Sequence, residues 1–130
     1  MPLTEAQRAF LRDNPFPAVV TTLRPDGSPH STVVWVDEEG GDVLLNTAEG
    51  RAKPRHLRAD PRVSILVVDP GNSYHWLSVS GRAELTTEGA REQIDALAKK
   101  YLGVDDYPFY RGEQRLTVRI TPEKVDSYGF

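Results

Sequence analysis

Residues 46–61 hold the pattern that decides the fold, and they read Asn46-Thr47-Ala48-Glu49-Gly50-Arg51-Ala52-Lys53-Pro54-Arg55-His56-Leu57-Arg58-Ala59-Asp60-Pro61. An apolar strand, residues 43–46, runs directly into this polar stretch. Proline lacks an N–H group but fits the first turn of a helix, so Pro54 predicts a short helix that begins near residue 54. Pro61 places its end near Ala59, because the residue before a proline avoids helical backbone angles. The stretch therefore predicts a strand, a tight loop and a short helix.

Basic side chains cluster where this helix begins. Arg51, Lys53 and Arg55 lie beside the free N–H groups of its first turn, and Arg58 follows them. The positive end of a helix dipole, together with guanidinium and ammonium groups, can bind a phosphate or a carboxylate. A solvated basic turn that binds nothing accounts for the same charges equally well. These residues alone leave both interpretations open.

The composition restricts the classes of protein to consider. The chain has 130 residues and a formal net charge of −3, which predicts one domain and argues against a general nucleic-acid binder. It contains no cysteine, so disulfides and thiolate metal sites are excluded. Because no apolar run reaches membrane-spanning length and the N-terminus is polar, we expect a cytoplasmic protein without membrane contact. A local basic cluster on a mildly acidic chain favours a small anionic ligand.

Short β-branched and apolar runs separated by turn residues predict a series of strands. The clearest is a hairpin in which Pro25-Asp26-Gly27 joins strands at residues 18–23 and 30–36. Residues 38–42 and 121–124 are further predicted turns. The remaining predicted strands are residues 43–46, 62–68, 74–85, 116–120 and 125–128. Neighbouring strands joined by such short turns run antiparallel.

Two helices lie outside this strand series. Thr4 and Gln7 have the spacing of a capping box, which predicts an N-terminal helix within residues 1–16. Residues 87–103 carry an apolar stripe at helical spacing and predict a helix inserted between strands. Six or seven antiparallel strands in a single domain, residues 1–130, favour a closed or partly closed barrel capped by helices. A flat α+β sheet with one covered face is the alternative.

Four motifs and their order carry a resemblance to a known family. They are the Pro-Asp-Gly turn, the strand end Leu-Leu-Asn-Thr at residues 44–47, the basic run at residues 51–64 and the strand at residues 78–85. From about residue 17 to residue 128, the sequence resembles the pyridoxamine 5'-phosphate oxidase-like superfamily, whose fold is the FMN-binding split barrel. It is most similar to the flavin/deazaflavin oxidoreductases, the branch that uses coenzyme F420. The resemblance implies a mainly β protein with flanking helices: a six- to seven-stranded antiparallel split β-barrel, forming a homodimer with each cofactor in a groove between subunits.

The resemblance assigns the phosphate end of the cofactor to the basic run. Arg51 and Lys53 correspond to the residues that hold the cofactor phosphate in the family, Pro54 belongs to the same motif, and Arg55 is a second contact. The sequence departs from the family pattern at His56, where many relatives have asparagine. A side-chain amide contact is therefore not expected there. The expected phosphate-binding site around Arg51 and Lys53, which we call the phosphate seat, is unaffected.

The resemblance also implies contacts along the rest of the cofactor. Asn46 and Thr47 match the strand end that passes the ribityl chain and the edge of the ring. Ser31, Thr32 and Val33 lie on the strand that lines the isoalloxazine-like ring in relatives. A slip of one residue in this strand would reverse which of these side chains face the ring.

The resemblance implies an oxidoreductase in which the cofactor performs the chemistry, and no catalytic side chain is expected. Coenzyme F420 is the expected cofactor, chiefly because the sequence resembles that branch of the family, and its phosphodiester and acidic tail would also suit an extended basic track. FMN, which ends in one phosphate, is the alternative. The expected reaction is hydride transfer between coenzyme F420 and a small unsaturated or carbonyl-like molecule. The alternatives are an FMN-dependent oxidoreductase of the same family and a barrel that binds flavin, deazaflavin or haem without turnover.

Other chemistry-bearing residues receive simpler interpretations. The three histidines are far apart in the sequence and lack metal-ligand spacing, so no metal site is expected. Trp35 and Trp76 are expected in the core or in a dimer interface. The aromatic run at residues 107–110 predicts a loop that serves as a lid or an interface. No nucleophile elbow is present, which disfavours a hydrolase.

Overall fold

The computed structural model describes residues 2–130, which form three α-helices and seven β-strands. In chain order these are α1 (Glu5–Arg12), β1 (Ala18–Leu23), β2 (Pro29–Val34), β3 (Asp37–Glu39), β4 (Asp42–Ala48), α2 (Ala52–Ala59), β5 (Arg62–Asp69), β6 (Asn72–Thr86), α3 (Ala90–Leu102) and β7 (Arg115–Tyr128). All paired strands are antiparallel, as the short turns predicted. None of these helices combines the length and the apolar character that crossing a membrane requires.

The sheet curls because its two edge strands are consecutive in the chain. The strand order is β2-β1-β5-β6-β7-β4-β3, so β2 and β3 lie at opposite edges. Only Trp35 and Val36 join the end of β2 to the start of β3. This link spans at most about 11 Å, whereas the edges of a flat seven-stranded sheet would be roughly 28 Å apart. The predicted split β-barrel is therefore confirmed over the flat sheet, and we call the junction of β2 and β3 the barrel seam.

The core lies inside the curled sheet. Inward-facing side chains alternate with outward-facing ones along the strands, as half-buried β-strands require. The buried residues that fill the interior are Val20, Val43, Leu45, Val63, Ile65, Val67, Leu77, Val79, Val118 and Ile120, joined by Leu11 and Phe10 of α1. Along β6, for example, Leu77 and Val79 are buried, whereas the residues on either side of them are only partly buried.

The turn predicted at residues 121–124 is wrong, because these residues lie inside β7. The strand continues past Pro122 because its register with β6 shifts between Ser80 and Gly81, opposite the proline. A bulge of this kind accommodates the missing N–H group. Gly81 is required at this place, since a Cβ atom there would lie 1.9 Å from the carbonyl oxygen of Thr121.

Several element boundaries also differ from prediction. β2 ends at Val34 rather than at residue 36, and β3 occupies part of the turn predicted at residues 38–42. The helix predicted within residues 1–16 is α1, and its capping box is confirmed: Gln7 N donates to Thr4 Oγ1 at 3.1 Å, and Thr4 N donates to Gln7 Oε1 at 2.9 Å. The helix predicted at residues 87–103 is α3, which begins three residues later, at Ala90.

Two side chains of α3 fasten that helix to the barrel seam. The Tyr101 hydroxyl donates to Phe16 O at 2.7 Å and accepts from Val36 N at 3.1 Å. The Lys100 ammonium donates to Val36 O at 2.6 Å and also to Leu11 O. Both backbone groups of Val36 are therefore satisfied by one turn of α3, which fixes the helix over the seam.

Candidate functional site

The strand, loop and helix predicted from residues 46–61 form the base of the candidate site. β4 ends at Ala48 and α2 begins at Ala52, two residues earlier than predicted. Arg51 is the N-cap residue, and its side chain makes no capping hydrogen bond. Pro54 is buried in the first turn, the part of a helix where its missing N–H group has no intrahelical partner to lose. The basic side chains are thus carried by the start of a helix, as expected.

A cavity of about 250 Å³ opens beside the start of α2. Its wall is formed by β2 and β4, the start of α2, α3, the start of β7 and the loop before β7. The residues that line it are Val33, Val34, Trp35, Asn46, Thr47, Arg51, Lys53, Ile94, Leu97, Tyr107, Phe109 and Arg115. Five of the nine predicted site residues lie in this lining, namely Val33, Asn46, Thr47, Arg51 and Lys53.

Arg51 and Lys53 give the cavity a cationic region. The Lys53 ammonium donates to the Thr32 hydroxyl at 2.9 Å, which places Thr32 directly behind the lining. Within residues 2–130, neither Arg51 nor Lys53 forms a salt bridge. Partial burial lowers the pKa of Lys53 from its usual value, and the nearby charge of Arg51 lowers it further. Two cations without a carboxylate partner favour the binding of an anion.

The other predicted residues lie outside the cavity lining. Arg55 Nη1 donates to Gly50 O at 3.0 Å, on the exposed side of the loop. Arg58 pairs with Glu49, with Nη1 donating to Oε2 at 3.1 Å. Ser31 faces the outer side of the sheet, where its hydroxyl lies 2.8 Å from that of Thr21. Of the four basic residues in the run, Arg51 and Lys53 therefore line the cavity, and Arg55 and Arg58 lie outside its lining.

Asn46 joins three elements at the wall of the cavity. Its Nδ2 donates to Ala90 O at 2.8 Å and to Gln93 Oε1 at 2.6 Å, both on α3. Its Oδ1 accepts from Arg115 Nε at 2.9 Å. Both amide donors are therefore used within the protein. The side chain lines the cavity, but its principal role is to position Arg115 and α3.

Thr47 places an unused hydrogen-bonding group in the same wall. Its residue is 1% exposed, and its hydroxyl has no hydrogen-bond partner among residues 2–130. A buried hydroxyl without a partner costs about 1–3 kcal/mol, so such groups in native proteins usually meet water or a ligand. The unpartnered hydroxyl fits a cavity that binds a polar molecule.

Aromatic side chains form a second wall. Trp35 stacks on Tyr101 with ring centroids 5.5 Å apart, and Tyr107 meets Trp35 edge to face at 6.0 Å. Phe109 packs against Tyr107 at 5.6 Å, and Tyr107 N donates to Asp95 Oδ1 at 2.8 Å. The aromatic run predicted as a lid or an interface thus contributes two rings to the cavity. Flat walls of this kind suit a planar ligand.

The three histidines lie outside the cavity lining. The buried His56 of α2 has its Nδ1 2.8 Å from the Thr22 hydroxyl, and its ring centroid lies 5.1 Å from that of His30 in an edge-to-face arrangement. Burial lowers the pKa of His56 below its usual value, and the nearby charges of His30 and Arg24 act in the same direction. Within residues 2–130, no group of three or more His, Cys, Asp or Glu side chains could hold a metal ion.

Comparison with known proteins identifies the family. Residues 3–129 match the family profile described as pyridoxamine 5'-phosphate oxidase. The chain belongs to the pyridoxamine 5'-phosphate oxidase family. This pyridoxamine 5'-phosphate oxidase family member has the split-barrel oxidoreductase fold.

Solved structures support the same assignment. A protein named F420 reductase is 26% identical to this family member, with a TM-score of 0.83 over 95% of this chain and 98% of that chain. A conserved hypothetical protein from Mycobacterium tuberculosis is 27% identical, with a TM-score of 0.76 over 97% and 84% of the two chains. General stress protein 26 from Bacillus anthracis, 17% identical with a TM-score of 0.68 over 93% and 90%, shares the fold.

Five residues of the cavity in this pyridoxamine 5'-phosphate oxidase family member were not predicted as site residues from the sequence. Trp35 was expected in the core or in an interface, Val34, Ile94 and Leu97 were considered only as parts of a strand and a helix, and Arg115 was not considered. One sequence feature could have indicated Arg115 as a site residue: it is a charged residue that directly precedes the alternating apolar residues of β7. Its place in the site depends on the pairing of β7 with β4, in which it lies opposite Ala48.

Proposed function

We propose that this protein binds a phosphate-bearing redox coenzyme of the deazaflavin type, coenzyme F420. It transfers a hydride between that coenzyme and a small unsaturated or carbonyl-like molecule. The observation that carries the proposal is a pair of cations, Arg51 and Lys53, in a cavity with aromatic walls. Neither cation has a carboxylate partner among the described residues 2–130. Family membership supports an oxidoreductase, and the similarity to a protein named F420 reductase supports the deazaflavin.

Different residues of the cavity bind different parts of such a coenzyme. Arg51 and Lys53 bind the phosphate, with Thr32 holding the Lys53 ammonium in place. The Thr47 hydroxyl offers a hydrogen bond to the polar chain that links phosphate and ring. Trp35 and Tyr107 exclude water from the flat ring. When bound, the coenzyme itself supplies the ring that gives or accepts the hydride.

FMN is the second candidate coenzyme, and the geometry of the cations is compatible with it. Arg55 and Arg58 make contacts outside the cavity, so only Arg51 and Lys53 of the basic run line it. A compact seat of two donors suits a single phosphate as well as a phosphodiester. Coenzyme F420 stays ahead of FMN because of the structural similarity to F420 reductase.

A homodimer is part of the proposal. Val19 pairs with Val33 on one side and with Leu66 on the other, so the three side chains form a row across the outer face of β2, β1 and β5. Their exposed fractions are 36%, 73% and 42%. A contiguous exposed apolar row indicates an interface. Val33 also lines the cavity, so a second copy seated on this row would close its open side.

The experiment that tests the function is a titration of the purified protein with oxidised and reduced coenzyme F420, and in parallel with FMN. Absorbance and fluorescence report binding, and analytical ultracentrifugation reports the oligomeric state. We expect coenzyme F420 to bind more tightly than FMN. We also expect the reduced coenzyme to be oxidised by a conjugated carbonyl compound in the absence of oxygen.

Each outcome has a distinct meaning. Tighter binding of FMN would replace the deazaflavin with the flavin. Binding of coenzyme F420 without turnover of any acceptor in a broad panel would leave a coenzyme-binding protein and remove the enzyme. Binding of neither coenzyme would refute the proposal.

A further inference from the structure

Arg115 is a buried cation in the part of the cavity wall formed by β4, β7 and α3. Its side chain is 3% exposed. Nε donates to Asn46 Oδ1 at 2.9 Å, and Nη1 donates to Glu113 Oε2 at 2.8 Å. A guanidinium carries five N–H donors, so most of them remain after these two bonds. Nη2 has no hydrogen-bond partner anywhere in the described chain, residues 2–130, and is available to a ligand.

The orientation of the guanidinium is fixed by Asn46. The Nδ2 group of Asn46 must be the donor because it faces the Ala90 carbonyl at 2.8 Å. Its Oδ1 must be the acceptor because it faces Arg115 Nε. Gln93 Oε1 accepts a further bond from Nδ2 at 2.6 Å. Held on both sides, Asn46 keeps the plane of the Arg115 guanidinium in one position before any ligand arrives.

Charge distinguishes this part of the cavity from the phosphate seat. Arg51 and Lys53 have no carboxylate partner in the part of the chain that the structure describes, so their charge is uncompensated there. Arg115 is paired with Glu113, whose pKa is lowered to about 2 by the hydrogen bond from Arg111 N and by Arg115 itself. The Glu113 carboxylate stays ionised and would repel a phosphate. A neutral carbonyl oxygen can accept from Nη2 without that repulsion.

The aromatic wall is adjacent to this donor. The Tyr107 ring lies 5.1 Å from Arg115 Cζ and meets the Trp35 ring edge to face. A flat ligand placed against these rings would present its edge to the guanidinium. We propose that Arg115 binds the carbonyl edge of the coenzyme ring, the dione that flavins and deazaflavins share. This inference rests on the proposed function, and it gives one coenzyme two anchors: phosphate at Lys53 and ring carbonyl at Arg115.

Two truncated probes separate the anchors. 5-Deazariboflavin has the ring and its dione but no phosphate, and inorganic phosphate has no ring. Loss of a charged hydrogen-bond donor weakens binding by about 10- to 100-fold. Arg115→Met should therefore weaken 5-deazariboflavin binding by that factor and leave phosphate binding unchanged. Lys53→Met should do the reverse. Fluorescence titration measures the first probe and phosphorus NMR the second.

Matched variants keep the test decisive if Arg115→Met does not fold. Glu113→Gln retains the guanidinium and removes its carboxylate partner, so 5-deazariboflavin should bind at least as tightly as to the unaltered protein. Phenazine, a three-ring compound without carbonyl groups, should bind the unaltered protein about 10-fold more weakly than 5-deazariboflavin. Equal affinity for these two ring probes would overturn the inference.

The failures of the two proposals are distinguishable. If 5-deazariboflavin and phosphate both bind but Arg115→Met affects neither or both equally, Arg115 has only a structural role and the proposed function stands. If the unaltered protein binds neither probe and neither coenzyme, the proposed function itself fails.

Discussion

Replacing Lys53 with methionine tests the phosphate seat most directly. The Lys53 ammonium is half-buried, has one protein acceptor in Thr32 at 2.9 Å and retains two further N–H donors. A hydrogen bond from a charged donor contributes about 1.5–3 kcal/mol, which corresponds to a loss of affinity of roughly 10- to 150-fold. We therefore expect Lys53→Met to weaken binding of FMN or coenzyme F420 by that factor, measured by isothermal titration calorimetry.

The stability of this variant provides an independent check. Methionine removes a partly buried ammonium that has no carboxylate partner among residues 2–130, and it preserves an unbranched side chain of similar length. The cost is the lost hydrogen bond to Thr32, about 1 kcal/mol. The free energy of unfolding should therefore change by no more than about 1 kcal/mol, while ligand affinity falls by far more.

The matched control is Arg58→Met, on the same helix. Arg58 pairs with Glu49 on the solvent side, so its loss should change coenzyme affinity by less than about twofold, because solvent and salt screen its charge. A pH series adds a second control. Since the pKa of Lys53 lies below its usual value of 10.5 and phosphate favours the charged form, affinity should fall as pH rises through that lowered pKa. Equal affinities of Lys53→Met and the unaltered protein would refute the phosphate seat.

Three further outcomes follow from the structure. Gly81→Ala should lower the free energy of unfolding in urea by about 3 kcal/mol, because the added Cβ would overlap the Thr121 carbonyl. The control Gly71→Ala should lower it by less than about 1 kcal/mol, since its Cβ would meet only the flexible side chain of Asp69. The pKa of His56 is lower in the folded protein than its usual 6.5, so as pH falls the unfolded chain binds the proton first. The contribution of neutral His56 to stability is therefore complete above about pH 6.5 and is lost as pH falls below that value. His56→Asn should remove this pH-dependent component of the free energy of unfolding measured in urea. Leu66→Lys should shift sedimentation toward a monomer without lowering the melting temperature of the protomer, and an unchanged sedimentation coefficient would contradict the proposed interface.

The sequence predicted those features that depend on neighbours in the chain. The basic residues after β4, the proline in the first turn of α2 and the capping box of α1 are all decided within a few residues, and each forms as expected. The turn predicted at residues 121–124 failed for a different reason. Pro122 normally interrupts a strand, but a register shift in the partner strand β6 absorbs it, and nothing in the local sequence of β7 reveals that shift.

The cavity likewise contains residues that a local sequence motif predicts and residues that only the pairing of distant strands brings there. Arg51 and Lys53 were predicted from their motif, and the structure brings both to the lining. Arg115 reaches the same cavity only because β7 pairs with β4 and because Asn46 accepts its Nε. Arg55 was expected as a second phosphate contact, but it lies outside the cavity lining, and its Nη1 donates to the carbonyl of Gly50. Charge alone does not reveal which cations a protein has already paired.

Trp35 belongs both to the wall of the cavity and to the two-residue link at the barrel seam. The amide and carbonyl of its neighbour Val36 are held by one turn of α3, so a fluctuation of that turn would loosen the wall and the sheet edge together. Coenzyme release would then be limited by a local opening rather than by the strength of the phosphate contacts. Amide hydrogen exchange at Val36 should slow when the coenzyme is bound, and the dissociation rate should follow the exchange rate as temperature is raised.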